Sequence, residues 1–177
     1  MSHFFRCLGV LGLLGLPACG PSSAAPEAMG GSSGMAGASG SVGIGQVELG
    51  VPGGPDSLDF TAMADGAELR LETFGQGGTH VLLGVRTIGF GNRAFVSLRV
   101  RNLLDDSEIV APAPARPQLL FCDGDICDLV PITMMMGGIA DAAERDGLAI
   151  EVTAEVHNQA GVTGSDSRHA VLSTADL

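Results

Sequence analysis

The chain has 177 residues, enough for one modest domain with a buried core, and it sets 20 Asp and Glu against nine basic residues, all of them arginine. The resulting net charge of −11 repels nucleic acid and anionic membrane surfaces, so neither is an expected partner. Trp and Tyr are absent, which removes the flat amphipathic rings that sugar-binding platforms and aromatic adhesive surfaces usually need.

Residues 1–18 read as an export signal. Arg6 supplies a positive start, and Cys7 to Leu16 form an apolar run of mostly Leu and Gly that is too short to cross a bilayer as a helix. Leu16-Pro17-Ala18-Cys19 closes the run with small residues and a cysteine. This arrangement resembles the signal peptide and lipobox of bacterial lipoproteins. The resemblance implies cleavage before Cys19, lipidation of Cys19, and a protein held at the membrane of the cell envelope through its acyl chains. Gly20 in place of Asp after the cysteine implies, by the same analogy, sorting to the outer membrane. Loss of Arg6 would leave eight arginines and a net charge of −12.

The stretch from Cys19 to Gly45 is composed of Gly, Ser, Ala and Pro with one charge, Glu27, and almost nothing able to pack. It reads as a flexible tether. The 26 residues from Gly20 to Gly45, as a random coil, would span roughly 25–30 Å. Gly30-Gly31-Ser32-Ser33-Gly34 spells the G-x-S-x-G of serine hydrolases. The working motif sits between a strand and a helix, and here both flanks are linker.

From Gln46 to Leu177, the expected folded domain, the pattern changes to period two. Val96-Ser97-Leu98-Arg99-Val100-Arg101 alternates apolar with polar, and Leu148 to Val156 does the same, the mark of strands with one face buried. Further strands are predicted at Glu68–Glu72, His80–Ile88, Gln118–Cys122, Ile126–Met136 and His169–Ser173. Asp65-Gly66, Gly75-Gln76-Gly77-Gly78, Gly89-Phe90-Gly91-Asn92, Asp123-Gly124 and Asp146-Gly147 supply the turns. About seven short strands without a long amphipathic helix predict an all-β antiparallel sandwich. The alanine-rich Ile139–Arg145 could add a helical turn where the chain crosses between sheets.

Gly147 to Gly161, a long alternating strand running into Asn158-Gln159-Ala160-Gly161, resembles the penultimate strand and following turn of bacterial immunoglobulin-like domains. The resemblance implies an immunoglobulin-like sandwich and says nothing about ligand. The core Trp, corner Tyr and inter-sheet cystine of antibody-type domains are missing.

Cys122 and Cys127, the pair left after Cys7 and Cys19, are expected to form a disulfide in an exported protein. Four residues centred on Asp-Gly separate them, which suits a tight hairpin. The spacing is wrong for a thioredoxin-type motif, and a second pair of zinc ligands is missing. Asp123, Asp125 and Asp128 could offer oxygens to Ca²⁺ but lack EF-hand spacing. His157 and His169 fall on the two arms of the last predicted hairpin and could be neighbours; His80 stands apart. Met134-Met135-Met136 invites a copper reading, yet consecutive strand residues point to opposite faces, and core filling explains them more simply. No metal site or cofactor is therefore expected. Gly75-Gln76-Gly77-Gly78-Thr79-His80 lacks the rest of a nucleotide-binding fingerprint.

The charges are unevenly placed. No acidic residue lies between Glu72 and Asp105, while Arg86, Arg93, Arg99 and Arg101 do. Arg99 and Arg101, with Phe95 on the same outward face, form the candidate partner-binding face, for which Arg is well suited by its planar fork. The competing expectation is that they pair with Glu151 and Glu155 on a neighbouring strand. No nucleophile, base and orienting group can be assembled from a local motif. The reading is thus a non-enzymatic, lipid-anchored envelope protein with a structural or interaction domain and an envelope protein as candidate partner. The alternative is a lipoprotein that binds a metal ion or small anion.

Overall fold

The computed structural model describes residues 43–54, 57–73, 77–110, 115–138 and 142–174, all within one compact unit, Ser39–Leu177. The signal segment, Cys19, the linker to residue 42 and residues 75–76 of the glycine-rich turn lie outside the described residues. The elements in chain order are β1 (Gln46–Pro52), β2 (Phe60–Ala62), β3 (Ala67–Arg70), β4 (Glu72–Thr73), β5 (Gly78–Ile88), β6 (Arg93–Asn102), β7 (Glu108–Val110), β8 (Arg116–Leu119), β9 (Phe121–Asp123), β10 (Ile126–Gly138), α1 (Ala142–Arg145), β11 (Ala149–His157) and β12 (Thr163–Ser173).

Two six-stranded sheets face each other. One runs β2-β1-β5-β10-β9, with β4 also on β5; the other runs β3-β12-β11-β6-β7, with β8 also on β6. The orders β1-β5-β10-β9 and β12-β11-β6 are those of the A-B-E-D and G-F-C sheets of an immunoglobulin-type sandwich. The described strands number twelve rather than seven. Two predicted strands each divide in two, β2 and β7 are three-residue strands too short to carry a visible alternation, and β1, seven residues long, is not among the predicted strands. The sheets are also not purely antiparallel, because β3 pairs parallel to β12.

Alternation builds the core between them. Val81, Leu83 and Val85 of β5 face Val100, Ile150, Val152 and Leu172 from the other sheet, all fully buried. Each such side chain contributes about 1.5–3 kcal/mol relative to exposure. Thr79 and Thr87 point inward on the same strand, and their hydroxyls donate to the carbonyls of Gly137 (3.1 Å) and Cys127 (3.2 Å) of β10, so both buried hydroxyls are satisfied.

Buried leucines mark two of the five places where the chain changes sheet. Leu71 separates β3 from β4 and Leu120 separates β8 from β9; each predicted strand there, Glu68–Glu72 and Gln118–Cys122, is in fact two. The last crossing, β10 to β11, runs through α1, within the predicted helical stretch, of which residues 139–141 are outside the described set. The turn after β11 has the expected form. Asn158 Oδ1 accepts from the N–H groups of Ala160 and Val162, both at 3.0 Å, and Asn158 Nδ2 donates to the Phe90 carbonyl at 2.9 Å. Gly161 has φ 85°, a conformation that costs a residue with a Cβ.

Candidate functional site

The outward face of the β6-β11-β12 sheet carries the residues singled out by charge. Register sets them in rungs: Phe95–His157–Thr163, Ser97–Glu155–Ser165, Arg99–Thr153–Ser167 and Arg101–Glu151–His169. Arg101 and Arg99 therefore occupy one face with Phe95, as the alternation predicts.

Arg101 is committed. Its Nε and Nη2 donate to Glu151 Oε2 at 3.2 and 2.6 Å, and Nη1 donates to Asp106 Oδ1. The bond from Arg101 is the chief force holding the Glu151 carboxyl below its ordinary pKa, with Ser167 helping and burial opposing. The same bond raises the Arg101 pKa. Asp106 is delivered by the β6–β7 turn, which Asn102 and Asp105 fasten through their side-chain oxygens to the N–H groups of Leu104 and Ser107.

Arg99 departs from expectation. It sits opposite Thr153, and its ion pair, at 3.3 Å, is with Glu108 of β7; Glu155 lies opposite Ser97 instead. The reason is that Glu151 and Glu155 flank Thr153 on the same face, while β7 lies on the other side of β6. Phe95 stacks flat on His157, with ring centroids 4.8 Å apart and planes 2° from parallel. Thr153 and Ser167 hydroxyls meet at 3.1 Å.

The acid-free stretch of sequence does not make one cationic face. Arg86 lies on β5, in the opposite sheet, where its guanidinium grips Asp128 through two bonds of 2.8 and 2.9 Å and lies 4.3 Å above the Phe60 ring. That geometry was missed in the sequence; its signal was the cross-strand Arg/Asp pairing of β5 with β10. Phe60 in turn rests on Gly50 and Gly84, where any Cβ would meet the Phe60 ring at 2.4 and 3.2 Å.

The other candidates disperse. His157 stands opposite Thr163 and His169 opposite Glu151, so they occupy opposite ends of the hairpin and are not neighbours. The His169 amide donates to Asp65 Oδ1 at 2.8 Å. Asp128 is taken by Arg86, and among the described residues no three His, Cys, Asp or Glu converge as metal ligands. Met136 is buried, Met134 packs at the core margin and Met135 is 52% exposed, as alternation requires. Cys122 and Cys127 face each other in the β9–β10 ladder with their sulfurs bonded at 2.09 Å.

Comparison of the chain with family models, curated proteins and solved structures finds no match.

Proposed function

We propose that the protein is a lipid-anchored component of the cell envelope, facing away from the cytoplasm and sorted to the outer membrane, whose sandwich is a non-catalytic structural or interaction domain. The observation that carries this reading is Leu16-Pro17-Ala18-Cys19 at the end of a short apolar run with Arg6 before it. The start of the first strand at Gln46 supports it, since the Gly/Ser/Ala stretch between Cys19 and the domain is long enough to hold the fold clear of the lipid surface.

The arrangement of the β6-β11-β12 face supports a non-catalytic role. Its two central arginines are spent on neighbouring carboxylates: Arg101 on Glu151 and Asp106, Arg99 on Glu108. A general acid or base must reach a substrate proton, and these groups are held by neighbours instead. Fractionation of Cys19→Ser tests the anchor: the variant should leave the membrane fraction. Recovery in membranes with the signal removed would refute it. Calorimetric titration with Ca²⁺, Cu⁺ and small anions tests the alternative, and no heat beyond dilution is expected.

A further inference from the structure

Among the described residues, the sandwich has one side where strand edges lack a neighbouring strand. β10 is 13 residues long, yet β9 covers it only at Ile126, Cys127 and Asp128. From Ile132 to Gly138 its only strand neighbour among the described residues is β5. Across from it, β6 pairs with β8 up to Val96 and with β7 from Val100, which leaves Ser97 to Arg99 without a partner on that side among the described residues. Alternate residues of a strand turn their N–H and C=O groups toward each neighbour, so on both walls these groups have no strand partner among the described residues.

Between these walls runs a groove of about 310 Å³. Val96, Leu98, Leu129, Ile132 and Met134 give it apolar sides, and Arg116 stands among the lining residues. In a chain with 20 acidic residues, none of the described residues that line this groove is acidic. Among the described residues Arg116 has no ion-pair partner. The sequence from Leu129 to Ala140 carries no charge at all. Natural sheets usually blunt an open edge with charge, because an uncharged edge invites another strand.

We infer that this groove binds an extended peptide segment of another protein, which adds as a strand to the open edge of β10, places alternate apolar side chains in the groove, and sets a carboxylate against Arg116. Main-chain bonds supply affinity and the pocket supplies selectivity, the logic of β-augmentation. The inference deepens the interaction role proposed above, yet it needs only the folded domain and not the anchor.

The test uses the full chain and the synthetic peptide acetyl-Val-Thr-Val-Thr-Val-Asp, read by amide hydrogen exchange and calorimetry. Binding should slow exchange within Ile132–Gly138. Arg116→Glu should weaken it about tenfold, and Met135→Glu, which puts a charge on the open edge, should weaken it as well. Arg93→Glu, on the outward face beyond β8, should leave affinity unchanged. The inference is overturned if the peptide does not bind, or if binding ignores both groove variants. It is overturned in favour of an amphiphile if dodecanoate binds at Arg116 while the peptide leaves exchange unaltered. It is overturned in favour of self-pairing if the same amides become protected with rising protein concentration and no peptide. Failure here, with an envelope protein still captured by the chain and released by changes at Arg99 and Arg101, would leave the interaction role standing without this site.

Discussion

The two outer faces of the sandwich are closed by different means. On the sheet containing β5, the short strand β2 folds back so that Phe60 roofs Gly50 and Gly84, with Arg86 above it. On the sheet containing β11, polar side chains pair across strands instead: Arg101 with Glu151, Arg99 with Glu108 and Thr153 with Ser167. One face depends on the absence of two Cβ atoms, the other on cross-strand partners in high dielectric. Steric closure is brittle and ionic closure is tolerant, so equal numbers of substitutions should not have equal effects.

The sharpest break in the comparison is Gly50→Val. A Cβ there would lie 2.4 Å from the Thr61 carbonyl oxygen as well as 2.4 Å from Phe60, and backbone cannot step aside. A loss of about 3 kcal/mol, the upper part of the usual overpacking range, is expected in urea unfolding. Gly84→Ala meets only the side chains of Val130 and Phe60 and should cost clearly less.

The cystine closes a loop with a sequence separation of five, so replacing both cysteines with Ser should cost about 2 kcal/mol by the loop-closure model without unfolding the domain. Thiol titration of the purified protein should find Cys122 and Cys127 oxidised.

The ionic face should reveal itself in acid. Because the folded-state pKa of Glu151 is depressed by Arg101, its contribution is full above the ordinary Glu pKa of about 4.3 and is lost as pH falls through the lower folded value. Thermal melts at descending pH should therefore show a slope that Glu151→Gln reduces. Smallest of all, Arg99→Gln with Arg101→Gln should lower the melting temperature slightly and leave peptide binding at the β10 groove untouched. A collapse of the fold on that double change would erase the distinction between the faces.

The sequence was legible where chemistry repeats. Alternation in Val96–Arg101 and Leu148–Val156 located β6 and β11, and Asn158-x-x-Gly161 located the turn after β11, because each residue there carries its own local preference. It was not legible where partners come from afar. Arg99 reads as a partner-binding residue or as a mate for Glu151 or Glu155, because Glu108 reaches it only once β7 has folded against β6. Arg86 reads as part of one cationic stretch with Arg99 because sequence distance hides the change of sheet between β5 and β6. The open edge of β10 was hardest to see, since it is made of backbone and its only trace is the uncharged run from Leu129 to Ala140.

The three consecutive methionines of β10 also form a graded series toward oxidants. Met135 is 52% exposed, Met134 sits at the core margin, and Met136 is 1% exposed. Sulfoxide formation follows access, so Met135 converts first, Met134 more slowly and Met136 only on unfolding. The first sulfoxide turns a soft thioether into a fixed dipole beside the unpaired wall of the groove, and chemical ageing of this protein would begin at that strand.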